Sequence, residues 1–480
     1  MRCAFSSIAA LACAGLLALT TASTTSAQNA TGAVTVSGNA LLRDRAVWVS
    51  HGVVSIAFVA PPAAQSGVFL SAYQHFSTDE LAAMKAWGAD TVRMQVSQPG
   101  LDPQNSLYTT DFVTAVKNGV LNARAAGLNV IVSVQDESQS GQQGASTPLP
   151  NDATRRVWQQ VLAPLFNGDQ GILYEMMNEP QPAANAANWA AWADAMNAVI
   201  AVIRQTGSKN VVVADGLEYA ERLDGAPALT DPLNQVAYAS HPYFHSADDQ
   251  TPQAWDTKFG NFAQTAPVIV TEWTTIPNSP SNSYYSDANT AQAALNFIRY
   301  LAARGIGLSA YAYDFSGNQF GSVVHGFNGV PSTFAGGLQP GDADYGPGAL
   351  VQQWYRTGEA PFAFFTDEQA LTNGVYYLAF PNNGDFFGYY AYLSDPRYVY
   401  HFDLGYEYTF GAADGKQGIY FYDFKSGHFF YTSPTFPFPY LYDFSLSTVL
   451  YYFPDPNNTG RYTSSPRYFY NFASGQVISM

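Results

Sequence analysis

Cysteine is almost missing from this 480-residue sequence: there are two, Cys3 and Cys13, both near the N-terminus. That end has Arg2, an apolar run over 8–19, then small polar residues and Ser-Ala-Gln at 26–28, which reads as a secretory signal peptide (1–27) cleaved near Ala27. Lipid attachment at Cys13 would need a longer apolar run ahead of it. The mature chain is therefore expected to lack thiols, to be exported outside the cell or to the periplasm, and to hold together by packing alone, which excludes thiol catalysis. Long apolar runs are also lacking, since 8–19 is too short to span a bilayer. Charge is scarce at 12%, with 21 Lys+Arg and a net charge of −16. No basic patch exists to displace counterions from a nucleic acid. The site motifs of several enzyme classes are missing as well. No Gly-x-Gly-x-x-Gly follows a strand and no Gly-x-Ser-x-Gly precedes a helix. No His-Glu-x-x-His occurs, and Pro242 interrupts the spacing of His241 and His245, so neither a metal nor another cofactor is expected.

What is present is apolar, 47% of residues, and periodic. After a lead-in at 28–42, eight strand-like runs are expected at 46–54, 91–96, 129–134, 171–177, 210–215, 235–240, 267–271 and 306–313. Helix-length segments follow at 78–90, 111–127, 151–166, 188–206, 251–264, 288–305 and 347–355, with a loop after the fifth strand. In the first helix Thr78 can cap, and Leu81, Met84 and Trp87 form a stripe at three-residue spacing. Near-continuous apolar strands imply a sheet covered on both faces. Eight strand–crossover units suit a closed (β/α)8 TIM barrel over 43–360 better than an open sheet.

Composition changes near Gly358. All eight tryptophans precede it, and the remainder is dense in tyrosine and phenylalanine. Four related units, YVYHF-DLG-YEYTF (398–410), YFYDF-KSG-HFFYT (420–432), YLYDF-SLS-TVLYYF (440–453) and YFYNF-ASG-QVISM (468–480), each read as a β-hairpin. YLSDPRYVYHF and YTSSPRYFYNF nearly repeat at an offset of 70. A small all-β domain of repeated hairpins is expected at 366–480, as a structural sheet that docks on the barrel or as a glycan-binding surface.

Residues just past the C-terminal ends of barrel strands line the active face. By that rule Glu179, in GILYEMMNEP, follows strand 4, and Glu272, in PVIVTEW, follows strand 7. Two carboxyl groups about 5 Å apart suit retaining glycoside hydrolysis, one as proton donor and one as nucleophile. Their like charges help keep one protonated. Arg93, inside the apolar strand TVRMQV, demands a carboxylate partner, either Glu272 or a structural one. Asn178 suits a ring hydroxyl. His241 and Tyr243, past strand 6, could hold a hydroxyl or the nucleophile. Trp273, Tyr311 and Tyr313 are candidates for a sugar-stacking floor, or for core. Gln135 and Asp136 end strand 3; Asp136, Glu137, Asp215, Glu218 and Asp314 are further acids near the rim.

Glu179 in YEMMNEP, Glu272 in VIVTEW, Arg93 in TVRMQV and His-Pro-Tyr at 241–243, in that order, resemble glycoside hydrolase family 5 over about 43–360. The resemblance implies a retaining enzyme with Glu179 as acid/base, Glu272 as nucleophile and Asn178 at the 2-hydroxyl. Arg93, His241 and Tyr243 would then support the nucleophile. It implies a β-linked polysaccharide or oligosaccharide as partner: cellulose-type β-1,4-glucan by likeness of YEMMNEPQ to bacterial cellulases, with mannan, xylan or other β-glucans as alternatives. A noncatalytic polysaccharide-binding protein on the same scaffold is the alternative from another class. Two departures stand out. Gln135 or Asp136 replaces the family's usual strand-3 histidine, and SAYAYDF lacks its usual strand-8 tryptophan.

Overall fold

The computed structural model describes residues 32–276, 291–315, 323–327, 331–334, 346–358, 363–365, 369–371, 375–380, 385–393, 398–412, 418–433 and 435–480. The expected signal peptide lies outside them. Eight strands, β1 (His51–Phe58), β2 (Thr91–Ser97), β3 (Asn129–Gln135), β4 (Ile172–Glu175), β5 (Val212–Asp215), β6 (Val236–Ala239), β7 (Val268–Trp273) and β8 (Gly307–Ala310), close into one barrel. Every neighbouring pair is parallel, including β8 against β1. The TIM-barrel expectation is met, and seven of the eight strands start within three residues of their expected positions.

The first strand is a correction. The run 46–54 is not one element: Asp44 and Arg45 take φ of 50° and 73°, turning the chain so that Ala46–Val47 pairs back on Leu42 and Arg43. Only from His51 does the chain enter the barrel. The helix cap also moves by one residue, since Ser77 Oγ accepts the Glu80 N–H and Thr78 is the first helical residue. The Leu81, Met84 and Trp87 stripe is buried as its spacing requires.

Strand parity divides the barrel interior into two levels. Ile131, Leu173, Val213, Ala237 and Ile269 point inward low in the barrel and pack with Val34 and Leu41 of the N-terminal hairpin, Val34–Ser37 with Ala40–Arg43, and with Trp48 just after its third strand, Ala46–Val47. One step up, the same faces carry Arg93, Ser133, Glu175 and Asp215, all buried. The alternate residues, among them Val92, Val130, Tyr174 and Val270, face the helices in the larger core.

One buried acid in the helical layer lacks any partner for its charge among the described residues. Glu80 is fully buried, and neither carboxyl oxygen has a hydrogen-bond partner among the described residues. Burial, with the Asp314 charge adding, pushes it up to about 10. Such a group favours folding fully below its unfolded pKa, and that advantage is lost as pH rises from about 4.5 towards 10. We therefore expect Glu80→Gln to raise stability by about 3 kcal/mol at pH 7 and by almost nothing at pH 4. Urea unfolding midpoints at the two pH values check this; equal shifts at both would refute it.

Beyond the barrel, eleven strands from Gln369–Ala370 to Gln476–Ser479 form one antiparallel sheet in strict sequence order. The four expected hairpins are all present, with a core of Phe387, Phe421, Phe430, Leu441, Leu450 and Phe469 on one face. Each first strand ends in a side chain that accepts turn N–H groups: His401 from Asp403 and Leu404, Asp423 from Lys425 and Ser426, Asp443 from Ser445 and Leu446, Asn471 from Ala473 and Ser474. The turns then pass through left-handed φ at Gly405, Gly427, Ser447 and Gly475. Glycine suits that conformation, and Ser447 fills the equivalent position in the one unit that lacks it. Buried Arg467 ties separate hairpins together, donating to Asp423 at 2.8 Å and to the Leu404 carbonyl at 2.8 Å.

Candidate active site

The chain leaves β4 through 176–178 and turns sharply at Glu179, whose φ is 51°. A side chain in the left-handed region costs about 1–2 kcal/mol and persists only where its surroundings hold it. Here the Glu179 N–H donates to Asp215 Oδ2 at 3.0 Å, and the Asn178 N–H donates to the Val134 carbonyl at 2.8 Å. The turn aims Glu179 across the mouth of the barrel. A register shift in β7 between Val270 and Trp273 brings Glu272 to the same mouth. One carboxyl oxygen of each glutamate and a ring nitrogen of His241 lie within 4.8 Å of one another.

The two carboxyls differ in their surroundings. Glu272 receives three donors: Arg93 Nη1 at 2.6 Å and Gln95 Nε2 at 3.0 Å on Oε2, and the Tyr243 hydroxyl at 3.0 Å on Oε1. Glu179 Oε1 lies 3.0 Å from His241 Nδ1. Burial pushes the Glu179 carboxyl up, and the Glu272 charge adds to that, while the bond to His241 opposes it. Burial alone would lower the His241 imidazole, yet the Glu179 bond and the Asp215 and Glu272 charges outweigh it and lift it to about 9.

Asn178 is locked on both sides of its amide. Its Oδ1 accepts from Arg93 Nη2 at 2.6 Å, and its Nδ2 donates to Glu137 Oε1 at 2.6 Å. Burial and the Glu179 charge push Glu137 up to about 8. Arg93 thus binds Glu272, Asn178 and a third partner, Glu175, whose oxygens it meets from Nε at 2.8 Å and Nη2 at 2.6 Å. The two expected alternatives, a pair with Glu272 and a structural pair elsewhere, are both present in one guanidinium.

Two expected roles change, those of His241 and Asp136, and for Trp273 and Tyr313 the core alternative holds. His241 contacts Glu179 and, through Nε2, Thr271 Oγ1 at 2.8 Å, so it serves the other glutamate from the one expected. Trp273 is no sugar platform: the β7 register shift turns it outward, fully buried between Phe244 and Phe297. Tyr313 likewise faces the helices, edge-on to Trp87 at 5.8 Å. Asp136 is buried and braces its own loop by accepting the Thr147 N–H at 2.8 Å. Tyr311 alone of the three aromatic candidates stands at the mouth, half-buried, its phenol pushed up by burial and by the charges of Glu272 and Asp314. Gln135 is buried in the inner layer and donates to Ser133 Oγ at 2.9 Å.

Sequence reasoning passed over Gln95 and Glu175. Gln95 sits two residues beyond Arg93, hence on the same strand face, and Glu175 is two beyond inward-facing Leu173; period-2 counting would have placed both. Among the described residues, Glu179–His241–Glu272 and Glu175–Asp215–His241 are the acid and histidine groups whose spacing could hold a cation. In both, Arg93 already occupies carboxylate oxygens, those of Glu175 and Glu272 Oε2.

The Cellulase (glycosyl hydrolase family 5) profile matches residues 61–317, more than half of the chain. No curated protein sequence matches it significantly. Among solved structures, a β-glucanase of Saccharophagus degradans is similar at 20% identity and a TM-score of 0.52, covering 68% of this chain and 94% of that one. The catalytic domain of the Thermobifida fusca endoglucanase Cel5A aligns at 21% identity and a TM-score of 0.49, over 68% of this chain and 98% of that one. A Thermomonospora fusca β-mannanase aligns at 21% and 0.45, over 64% and 93%. With the family profile lying across the barrel that carries both glutamates, this chain belongs to glycoside hydrolase family 5.

Proposed function

We propose that the protein is an exported, retaining, endo-acting β-glycan hydrolase, and that its substrate is a β-1,4-glucan. The observation that carries the reading is the pair of glutamate oxygens within 4.8 Å, one glutamate under three donors and the other raised by burial. Retaining enzymes keep their carboxyls about 5 Å apart, whereas inverting ones leave room for a water at about 6.5–9.5 Å. Glu272 attacks the anomeric carbon as the glycosidic bond breaks, and Glu179 gives its proton to the leaving oxygen. Glu179, now a base, then takes a proton from water, whose oxygen displaces Glu272 with the original anomeric configuration. Asn178, its amide held by Arg93 and Glu137, offers its remaining N–H to the 2-hydroxyl of the sugar. The S. degradans β-glucanase has been solved in complex with cellotetraose, which favours glucan over mannan as the first substrate to try.

The purified protein is tested on soluble β-1,4-glucan, mixed-linkage glucan, mannan and xylan, with the product anomer followed in time. A β-anomer formed first from glucan supports the reading; initial α-anomer or no hydrolysis of any polymer sinks it. Export is tested separately, by mass spectrometry of the mature N-terminus from a culture supernatant, expected near residue 28.

The role of Glu179 has its own signature. Its raised carboxyl must be protonated to act, so glucanase activity falls as pH rises through that value. We expect Glu179→Ala to lose about 10²–10⁴-fold on polymer but far less on an aryl glycoside whose leaving group needs no acid. With that substrate the alkaline limb of the first step should vanish. Equal losses on both substrates would remove Glu179 from the acid role.

A further inference from the structure

Two carboxyls below the mouth, Glu175 and Asp215, take no direct part in the hydrolysis just described. Both are fully buried. Glu175 is gripped by Arg93 and also accepts the Ser133 hydroxyl at 3.1 Å. Asp215 Oδ2 accepts the Glu179 N–H and lies 3.8 Å from His241 Nε2, while its Oδ1 has no donor among the described residues. Oxygens of the two carboxyls and a ring nitrogen of His241 fall within 4.8 Å of one another. Buried carboxyls this close do not both ionise when the two nearby cations are already engaged elsewhere, the Arg93 guanidinium with Glu272 and the His241 ring with Glu179. A proton on Asp215 Oδ1 resolves the contact, giving the orphaned oxygen a hydrogen to donate towards Glu175.

We propose that Glu175 and Asp215 share one proton and act together as positioning residues, Glu175 fixing Arg93 against Glu272 and protonated Asp215 fixing the backbone of Glu179. The assignment rests on the roles given to the two glutamates above. The unbroken chain Glu272–Arg93–Glu175–Asp215–Glu179 then runs from nucleophile to acid through the barrel interior, with His241 beside its last two members. Electrostatics agree: burial and the Glu175 charge push Asp215 well up, and although burial would also raise Glu175, Arg93 holds it below its ordinary value. The charged or titratable groups facing the pair are Arg93 from β2, Glu179 beyond β4, His241 beyond β6 and Glu272 from β7; Glu137 and Tyr311 face the two glutamates from beyond β3 and β8.

The two positions should respond differently to amide substitution. Glu175→Gln removes a real negative charge while burial, the larger cause, still keeps the proton on Asp215, so the carboxyls at the mouth give up theirs at lower pH. Both limbs of the kcat/KM profile on an aryl β-cellobioside should move to the acid side by about one unit. Asp215→Asn replaces a neutral acid by a neutral amide, and both limbs should stay within about 0.3 unit, even if the rate falls. A merely structural role for Glu175 would lower activity without moving either limb. A wild-type-minus-D215N infrared difference spectrum in D2O at pH 7 should show the carbonyl band of a protonated acid. A D215N profile shifted as far as that of E175Q, or a difference spectrum without that band, overturns the proposal. If E175Q does not fold, the infrared comparison decides alone. It is also readable if the protein hydrolyses no β-glycan, so failure of the functional reading is not confused with failure of this one.

Discussion

Glu272→Ala is expected to abolish hydrolysis, with kcat falling on the order of 10⁴-fold or more, the scale seen when one member of a catalytic unit is removed. The loss should be chemical and not structural. Glu272 lies at the mouth, 9% exposed, and its removal leaves Arg93 still paired with Glu175. The space vacated is bordered by the donors Arg93, Gln95 and Tyr243, a small anion site lacking its carboxylate. Azide or formate should enter it and restore turnover of an activated β-glycoside, and azide should form the α-glycosyl azide, because attack now comes from the face Glu272 occupied. Full activity in the variant, or rescue yielding the β-azide, would end the nucleophile assignment.

Arg93→Ala should be the most damaging single substitution for stability. Arg93 is fully buried and forms an ion pair at 2.6 Å with Glu175, which is fully buried too. Breaking a buried pair by removing one partner strands the other, at about 3–5 kcal/mol, or a fall in melting temperature of about 10 °C. The pH dependence follows from the direction of the Glu175 shift. Its folded pKa is depressed, so the stabilisation is present above the unfolded value of about 4.3 and fades as pH falls through the folded one. Wild type and R93A should differ most at pH 7 and converge below pH 4 in urea unfolding. A constant difference across that range would show that lost packing, not lost charge, is responsible. Arg93→Lys should recover part of the stability but little activity, since one ammonium cannot serve Glu175, Glu272 and Asn178 from a single planar fork.

Most of the barrel was legible because its strands obey simple rules: buried on both faces, nearly continuous in apolar residues, separated by helix-length crossovers. The first strand was misplaced because 46–54 reads as one apolar run, and nothing in its hydropathy shows the backward turn at Asp44 and Arg45. Glu179, Glu272, Arg93 and Tyr243 could be found from strand ends and from the demand of a buried guanidinium for charge. What failed was direction. Trp273 directly follows Glu272, yet the β7 register shift sends it into the helical core. His241 lies where either glutamate was in reach, and only the turn at Glu179 decides between them. Glu175 was hidden for another reason: one carboxylate partner for Arg93 seemed enough, and the fold supplies two.

The N-terminal hairpin has a consequence for traffic. With Val34, Leu41 and Trp48 packed among the low inward-facing residues, the barrel is a cup stoppered from below. A long sugar chain cannot thread it as through a ring: it meets Glu179 and Glu272 from the side opposite the hairpin, and both cut ends depart on the side from which the intact chain arrived.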